Sequence, residues 1–224
     1  MTKSELLYRV LAHFRRRRMR VFEKRFGVTS ETRILDVGGS PFMWSFVSVR
    51  PRVTLLNLPS ALPASSESLQ VAGDGRMLPF RDRSFDIVFS NSVIEHVGDN
   101  DDQRSFAEEV RRVGNGYWVQ TPDRKAPFEM HVMLPFVHLL PKRLQRFVVH
   151  RFTVWQFLTE PSAEEQRVYL NHFLHELRLL DRNGMRLLFP DSDIVRERVL
   201  GFPKSLIAIR CSAAKREPVA SASL

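Results

Sequence analysis

Short apolar runs separated by turns and helical stretches organise the first half of the chain. Residues 33–37 are apolar and β-branched and run into Gly38-Gly39-Ser40-Pro41; residues 53–58 form a second run, ended by Pro59. Residues 69–72 precede Gly73-Asp74-Gly75, residues 85–90 are nearly all apolar apart from Asp86, and residues 117–120 stop at Thr121-Pro122. Strands buried on both faces read as continuous apolar runs, so the pattern predicts a parallel sheet covered by helices on both sides. Before the fifth run, Asn100, Asp101 and Asp102 supply acids and a cap, Phe106, Val110 and Val113 an inner stripe, and Arg111 and Arg112 a basic end before Gly114. This is the signature of a helix. Further on, residues 164–180 predict a helix, 194–199 and 205–209 two strands, and the residues after Lys215 a small polar tail.

An amphipathic helix is predicted over residues 2–26. Thr2 and Glu5 have capping-box spacing, Leu6, Leu7, Val10, Leu11 and Phe14 make an apolar stripe, and Gly27 is the stop. Arg15, Arg16, Arg17, Arg18, Arg20, Lys24 and Arg25 crowd into it and carry much of the excess of 34 Lys+Arg over 25 Asp+Glu. Three readings fit: an arm over a sheet edge with solvated arginines, a peripheral contact of Arg15 to Arg18 with anionic membrane or an anionic substrate, or an RNA contact. The last lacks the interleaved aromatics of single-strand binders. With 224 residues, 43% of them hydrophobic and 26% charged, the composition is that of one soluble domain and excludes disordered or fibrous chains. The organisation expected is a basic helix over 1–27, an α/β domain over 28–215 and a flexible tail over 216–224. A lone Cys211 makes no internal disulfide and no zinc site by itself, which fits a reducing cytoplasm. No metal site is expected, and no run approaches the roughly 18 apolar residues of a membrane span.

In open parallel sheets ligands bind beyond the carboxyl ends of the strands. Asp36 and Gly38 follow the first strand, Asn57 the second, Asp74 the third and Asn91 the fourth. A glycine turn lets backbone approach a ligand, a side chain about 20 residues on can reach ribose hydroxyls, and a later Asp can accept from an adenine amino group. The turn lacks both G-x-G-x-x-G and G-x-x-x-x-G-K-[ST], Pro41 and Phe42 crowd a diphosphate, and Asp36 repels phosphate. An acidic turn instead suits an adenosine ligand bearing an ammonium and a sulfonium, which is S-adenosylmethionine.

Three segments in order, Ile34-Leu35-Asp36-Val37-Gly38-Gly39, Gly73-Asp74-Gly75-Arg76-Met77-Leu78-Pro79-Phe80 and residues 84–97 with Asn91-Ser92 and Glu95-His96, resemble the class I S-adenosylmethionine-dependent methyltransferases. The likeness is to the bacterial UbiE-like group termed methyltransferase type 11. It implies a Rossmann-like α/β fold: a seven-stranded, mainly parallel sheet with one antiparallel strand at the end, helices on both faces, an N-terminal helix and a lid insertion after the fifth strand. It also implies roles: Asp36 for the cofactor's amino group; Gly38, Gly39 and Ser40 along its methionine part; Asn57 and Leu58 at the ribose; Asp74, Gly75 and Arg76 at the adenine; Asn91 and Ser92 on the methionyl side. His96 would face the reaction pocket. Ser40, Phe42 and Asn57 depart from the family's G-x-G-x-G turn and acidic ribose residue, so a cofactor-binding module without catalysis stays open.

The acceptor is read from residues 123–161, punctuated by Pro127, Pro135, Pro141 and Pro161 and rich in Phe, Met and Leu. With the basic arm, this suggests an acceptor with a greasy and an anionic part, a small molecule or one linked to lipid or glycan. An RNA or protein acceptor is the alternative. If the acceptor atom is a hydroxyl oxygen a base must remove its proton, and His131 or His96, oriented by Glu129, is the candidate. His138, His150 and His172 read as structural.

Overall fold

The computed structural model describes residues 3–61, 69–129, 134–137, 140–151, 162 and 177–211. Nine strands are formed among them: β1 (Arg33–Val37), β2 (Arg52–Asn57), β3 (Leu69–Ala72), β4 (Phe85–Asn91), β5 (Gly114–Pro122), β6 (Phe128–Glu129), β7 (Leu134–Pro135), β8 (Asp193–Val199) and β9 (Phe202–Arg210). Seven make one sheet in the order β3-β2-β1-β4-β5-β9-β8. The pairs from β3 to β5 are parallel, and β9 runs antiparallel to both β5 and β8. The antiparallel strand, last in the sequence, therefore lies inside the sheet rather than at its edge. Leu200 and Gly201, at φ 50° and 83°, turn β8 into β9 in the two-residue, positive-φ manner that suits the twist of a hairpin. The strand order reverses between β1 and β4, and that crevice is where the topology puts a ligand.

Alternating residues of the strands feed two cores. On one face Val88, Tyr117 and Val119 meet Phe106, Val110 and Val113 of α3 (Asn100–Val113) and Met185 of α5 (Arg182–Leu188). On the other, Ile34, Ile87, Phe89, Trp118 and Ile207 meet Met19, Phe22 and Phe26 of α1 (Lys3–Phe26). Phe22 sits with its ring centroid 5.1 Å from Phe89 and 5.7 Å from Trp118. The first helix thus covers a face of the sheet and not its edge, because Met19, Phe22 and Phe26 carry its apolar side beyond the sequence stripe that ends at Phe14. Gly27, at φ 54°, ends it as expected. The capping residue Thr2 and the side chains of Leu6, Leu7, Val10 and Leu11 lie outside the described set.

Two expectations change. The cap of α3 is Asp99, whose carboxylate accepts from the backbone of Asp101 and Asp102 while Asp102 returns the bond, a full capping box one residue earlier than predicted. The predicted helix over 164–180 does not reach its end: residues 177–179 are irregular, and Leu180 bridges to Asp123 in parallel, which needs extended backbone. Residues 163–176 lie outside the described set. Of the 123–161 segment, β6 pairs with β7 and α4 (Lys142–Arg151) follows, leaving Phe128, Phe136, Leu144 and Phe147 exposed. No helix among the described residues is long and apolar enough to cross a membrane.

Candidate functional site

The turn after β1 is built around a buried charge. Asp36 is fully buried in the strand. A four-residue helix, α2 (Pro41–Trp44), starts with Pro41 where a missing N–H costs nothing, and delivers the Trp44 indole, whose Nε1 donates to Asp36 Oδ2 at 2.8 Å. The other oxygen, Oδ1, is buried with no hydrogen-bond partner. Burial pushes the Asp36 carboxyl up to about 7, against the opposing pull of the Trp44 bond. Gly38 is at φ +73°, and a Cβ on Gly39 would lie 1.8 Å from Asp36 Oδ2. Both glycines are therefore required, one by its backbone and one by the carboxylate beneath it.

Hydrogen bonds fasten neighbouring strand ends to this turn. Gly38 N donates to Leu56 O at 2.8 Å, Asn57 Nδ2 to Gly39 O at 3.0 Å, and Gly73 N to Asn57 O at 2.9 Å. Asn57 is buried, whereas Leu58 beside it is exposed. At the end of β3, Arg76 pairs with Asp74 at 2.6 Å and with Asp102 of α3 at 2.8 Å. The hydrogen bond from Arg76 holds the Asp74 carboxyl below its usual range despite partial burial, so it stays an acceptor at neutral pH. Gly75 fits because a Cβ there would meet the Phe106 ring at 2.8 Å. Ser40 precedes α2 without a capping bond from its side chain.

At the ends of β4 and β5 the polar groups are knitted more densely. Arg18 of α1 reaches Asn91 Oδ1 at 2.6 Å, Gln120 Oε1 at 3.1 Å and Glu197 Oε2 at 2.6 Å. Ser92, at φ 58°, donates its hydroxyl to Gln120 Oε1 at 3.1 Å. Glu197 also meets Lys204 at 3.5 Å and the Ser205 hydroxyl. Burial pulls the Glu197 carboxyl upward, but the charge and hydrogen bond of Arg18, with Lys204 and Ser205, overcome it and hold it at about 2. Next to this, Glu95 is fully buried, accepts from Thr121 Oγ1 at 2.9 Å and lies 4.0 Å from Nε2 of the partly exposed His96.

The structure thus brings Asp36, Gly38, Gly39, Ser40 and Asn57 together, places Asp74, Gly75 and Arg76 at the adjoining strand end, and sets Asn91, Ser92 and His96 across the β1–β4 crevice. Glu129 is in β6, with its side chain outside the described set, and His131 also falls outside it. Sequence reasoning missed Trp44, Gln120 and Arg18. Arg18 carried a signal, since it shares the side of α1 that holds Phe14 and Phe22. Among the described residues no group of three His, Cys, Asp or Glu could hold a metal ion.

The family described as "Methyltransferase domain" matches residues 50–116. No curated protein matches the chain. Among solved structures, the magnesium protoporphyrin IX methyltransferase of Synechocystis PCC 6803, with bound SAH, is similar at a TM-score of 0.55 and 10% identity, covering 94% of this chain and 88% of that one. A chain from the Haloferax volcanii complex of the Trm112 methyltransferase activator is similar at 0.52 and 13%, covering 90% of each. The PH0226 protein of Pyrococcus horikoshii OT3 is similar at 0.50 and 16%, covering 86% and 89%. At these identities the structural likeness concerns the fold alone. The family match covers residues 50–116, within a sheet whose strand order, with one antiparallel strand next to the edge, is that of the class I methyltransferase fold.

Proposed function

We propose that this enzyme methylates a hydroxyl oxygen on an acceptor with an apolar part, a small molecule or one linked to lipid or glycan, with His96 taking the proton. The observation that carries the reading is Asp36 Oδ1, a buried carboxylate oxygen without a partner at the strand-order switch. A group left so is stabilised by a cation brought in from outside. S-adenosylmethionine fits: Asp36 would hold its ammonium, Asn57 and the exposed Leu58 its ribose, and Asp74 and Gly75 its adenine. When bound, it supplies a methyl group already activated on sulfonium sulphur.

What remains for the protein is to position the acceptor, exclude water and hold a proton. His96 stands just beyond the carboxyl end of β4 with the buried Glu95 4.0 Å from its Nε2, an arrangement that orients an imidazole. With the methyl group supplied by the cofactor, His96 would take the proton of the acceptor hydroxyl. His131, oriented by Glu129, is the alternative pair for that step. Exposed Phe128, Phe136 and Phe147 after β5 support an apolar acceptor part. Arg16, Arg17, Arg20 and Lys24, exposed on the outer side of α1, support an anionic part or an anionic membrane surface.

The test is incubation with methyl-labelled S-adenosylmethionine and a cell extract. Label should enter material that partitions into organic solvent, and exclusive labelling of water-soluble compounds would refute the acceptor class. His96→Ala should lower turnover roughly 100-fold with cofactor affinity nearly unchanged; equal losses in both would make His96 a packing residue.

A further inference from the structure

Arg18 is only 6% exposed, although it comes from the most basic segment of the chain. One edge of its guanidinium, Nε and Nη2, is taken by Glu197 at 3.4 and 2.6 Å, so the buried charge is neutralised inside the protein. The other edge faces two amides, through Nη1, at Asn91 Oδ1 and Gln120 Oε1. A guanidinium has five donors and no acceptor, so an amide facing it must present its oxygen. The Ser92 hydroxyl on the same Gln120 oxygen reinforces that choice. Asn91 and Gln120 are direct cross-strand partners on β4 and β5. Their NH2 groups therefore lie on the side away from Arg18, paired at the carboxyl ends of two adjacent strands beside the ligand crevice.

We propose that Arg18 is a positioning residue: by fixing both amide oxygens toward itself, it makes Asn91 and Gln120 a paired N–H donor site for the carboxylate of the cofactor's amino-acid part. The inference rests on the S-adenosylmethionine reading and adds to it a device contributed by α1. Arg18 does not touch the ligand. Its charge is already spent on Glu197, and its effect is to decide which end of each amide the ligand meets. Without it an amide could turn and offer an oxygen, which repels a carboxylate.

Calorimetry with two probes tests this: S-adenosylhomocysteine, which keeps the amino-acid carboxylate, and 5′-methylthioadenosine, which lacks it. Asn91→Asp puts a second acceptor opposite Arg18, so the melting temperature should hold or rise. Affinity for S-adenosylhomocysteine should fall by roughly tenfold or more, and that for methylthioadenosine by less than about twofold. The paired variant Arg18→Met/Glu197→Met removes both charges together and strands neither. It should weaken S-adenosylhomocysteine roughly threefold to tenfold and spare methylthioadenosine. If that variant does not fold, Asn91→Asp decides alone. Equal effects on the two probes, or none on either, would overturn the proposal. Failure of the unaltered protein to bind either probe would instead overturn the cofactor reading beneath it.

Discussion

Asp36 and Glu197 are both buried carboxylates on the face of the sheet that α1 covers, yet burial resolves differently at the two. Glu197 has Arg18, Lys204 and Ser205 around it and is held at about 2. Asp36 has a single indole N–H, one oxygen left over and a carboxyl pushed up to about 7. The first is a finished electrostatic unit that contributes to the folded state. The second is unfinished, and it costs the folded state something that a cationic ligand can return. The contrast separates a charge that the protein itself completes from one that it leaves open, which is the one the proposed reading assigns to the ligand.

The largest disturbance should come from breaking the finished unit. Arg18→Ala leaves Glu197 buried without its main cation and should cost about 3–5 kcal/mol in thermal or denaturant unfolding. In the unaltered protein the Glu197 contribution has a pH signature. Because its folded pKa lies below the ordinary value of 4.5, its stabilisation is complete above about 4.5 and is lost as pH falls toward 2. The Arg18→Met/Glu197→Met protein should lack that acid-limb loss.

Asp36→Asn tests the unfinished unit and should move stability the other way. A carboxyl raised from 3.8 to about 7 makes the folded state lose stability as pH rises from about 4 to 7, after which the cost is constant. The amide should therefore raise the stability of the ligand-free protein by a few kcal/mol at pH 8, with the gain vanishing near pH 4. The same substitution should weaken cofactor binding by roughly tenfold to a hundredfold. A variant less stable at pH 8 would show that the site is already satisfied without a ligand. The smallest effect expected is that of Asn57→Ala, which removes the bond to Gly39 O and should cost about 1 kcal/mol while loosening the glycine turn.

Much of the sheet was legible because its strands are buried on both faces and bounded by Gly, Pro and Asp. Residues 33–37 and 69–72 form strands over the predicted spans, and the last strand starts earlier than the predicted 205 because hairpin pairing of Val199 with Phe202 carries it through Pro203 and Lys204. The Asp36 turn was legible for the same local reason, since only glycine tolerates what Gly38 and Gly39 must do. Trp44 was not, because its role depends on a single helical turn folding the indole back eight residues. Arg18 was hidden by its neighbours: an arginine within a basic run reads as solvated, and its partners lie 73, 102 and 179 residues away. Local pattern finds groups whose purpose is local.

The distance between Arg18 and Glu197 has a consequence for biosynthesis. Ribosomes make the helix first and its counter-ion 179 residues later. Until β9 is made, the Met19, Phe22 and Phe26 stripe has no Ile207 or Ile209 to rest on. The nascent polypeptide must carry a greasy, cationic segment in waiting until the β8–β9 hairpin emerges, and the domain closes only after that.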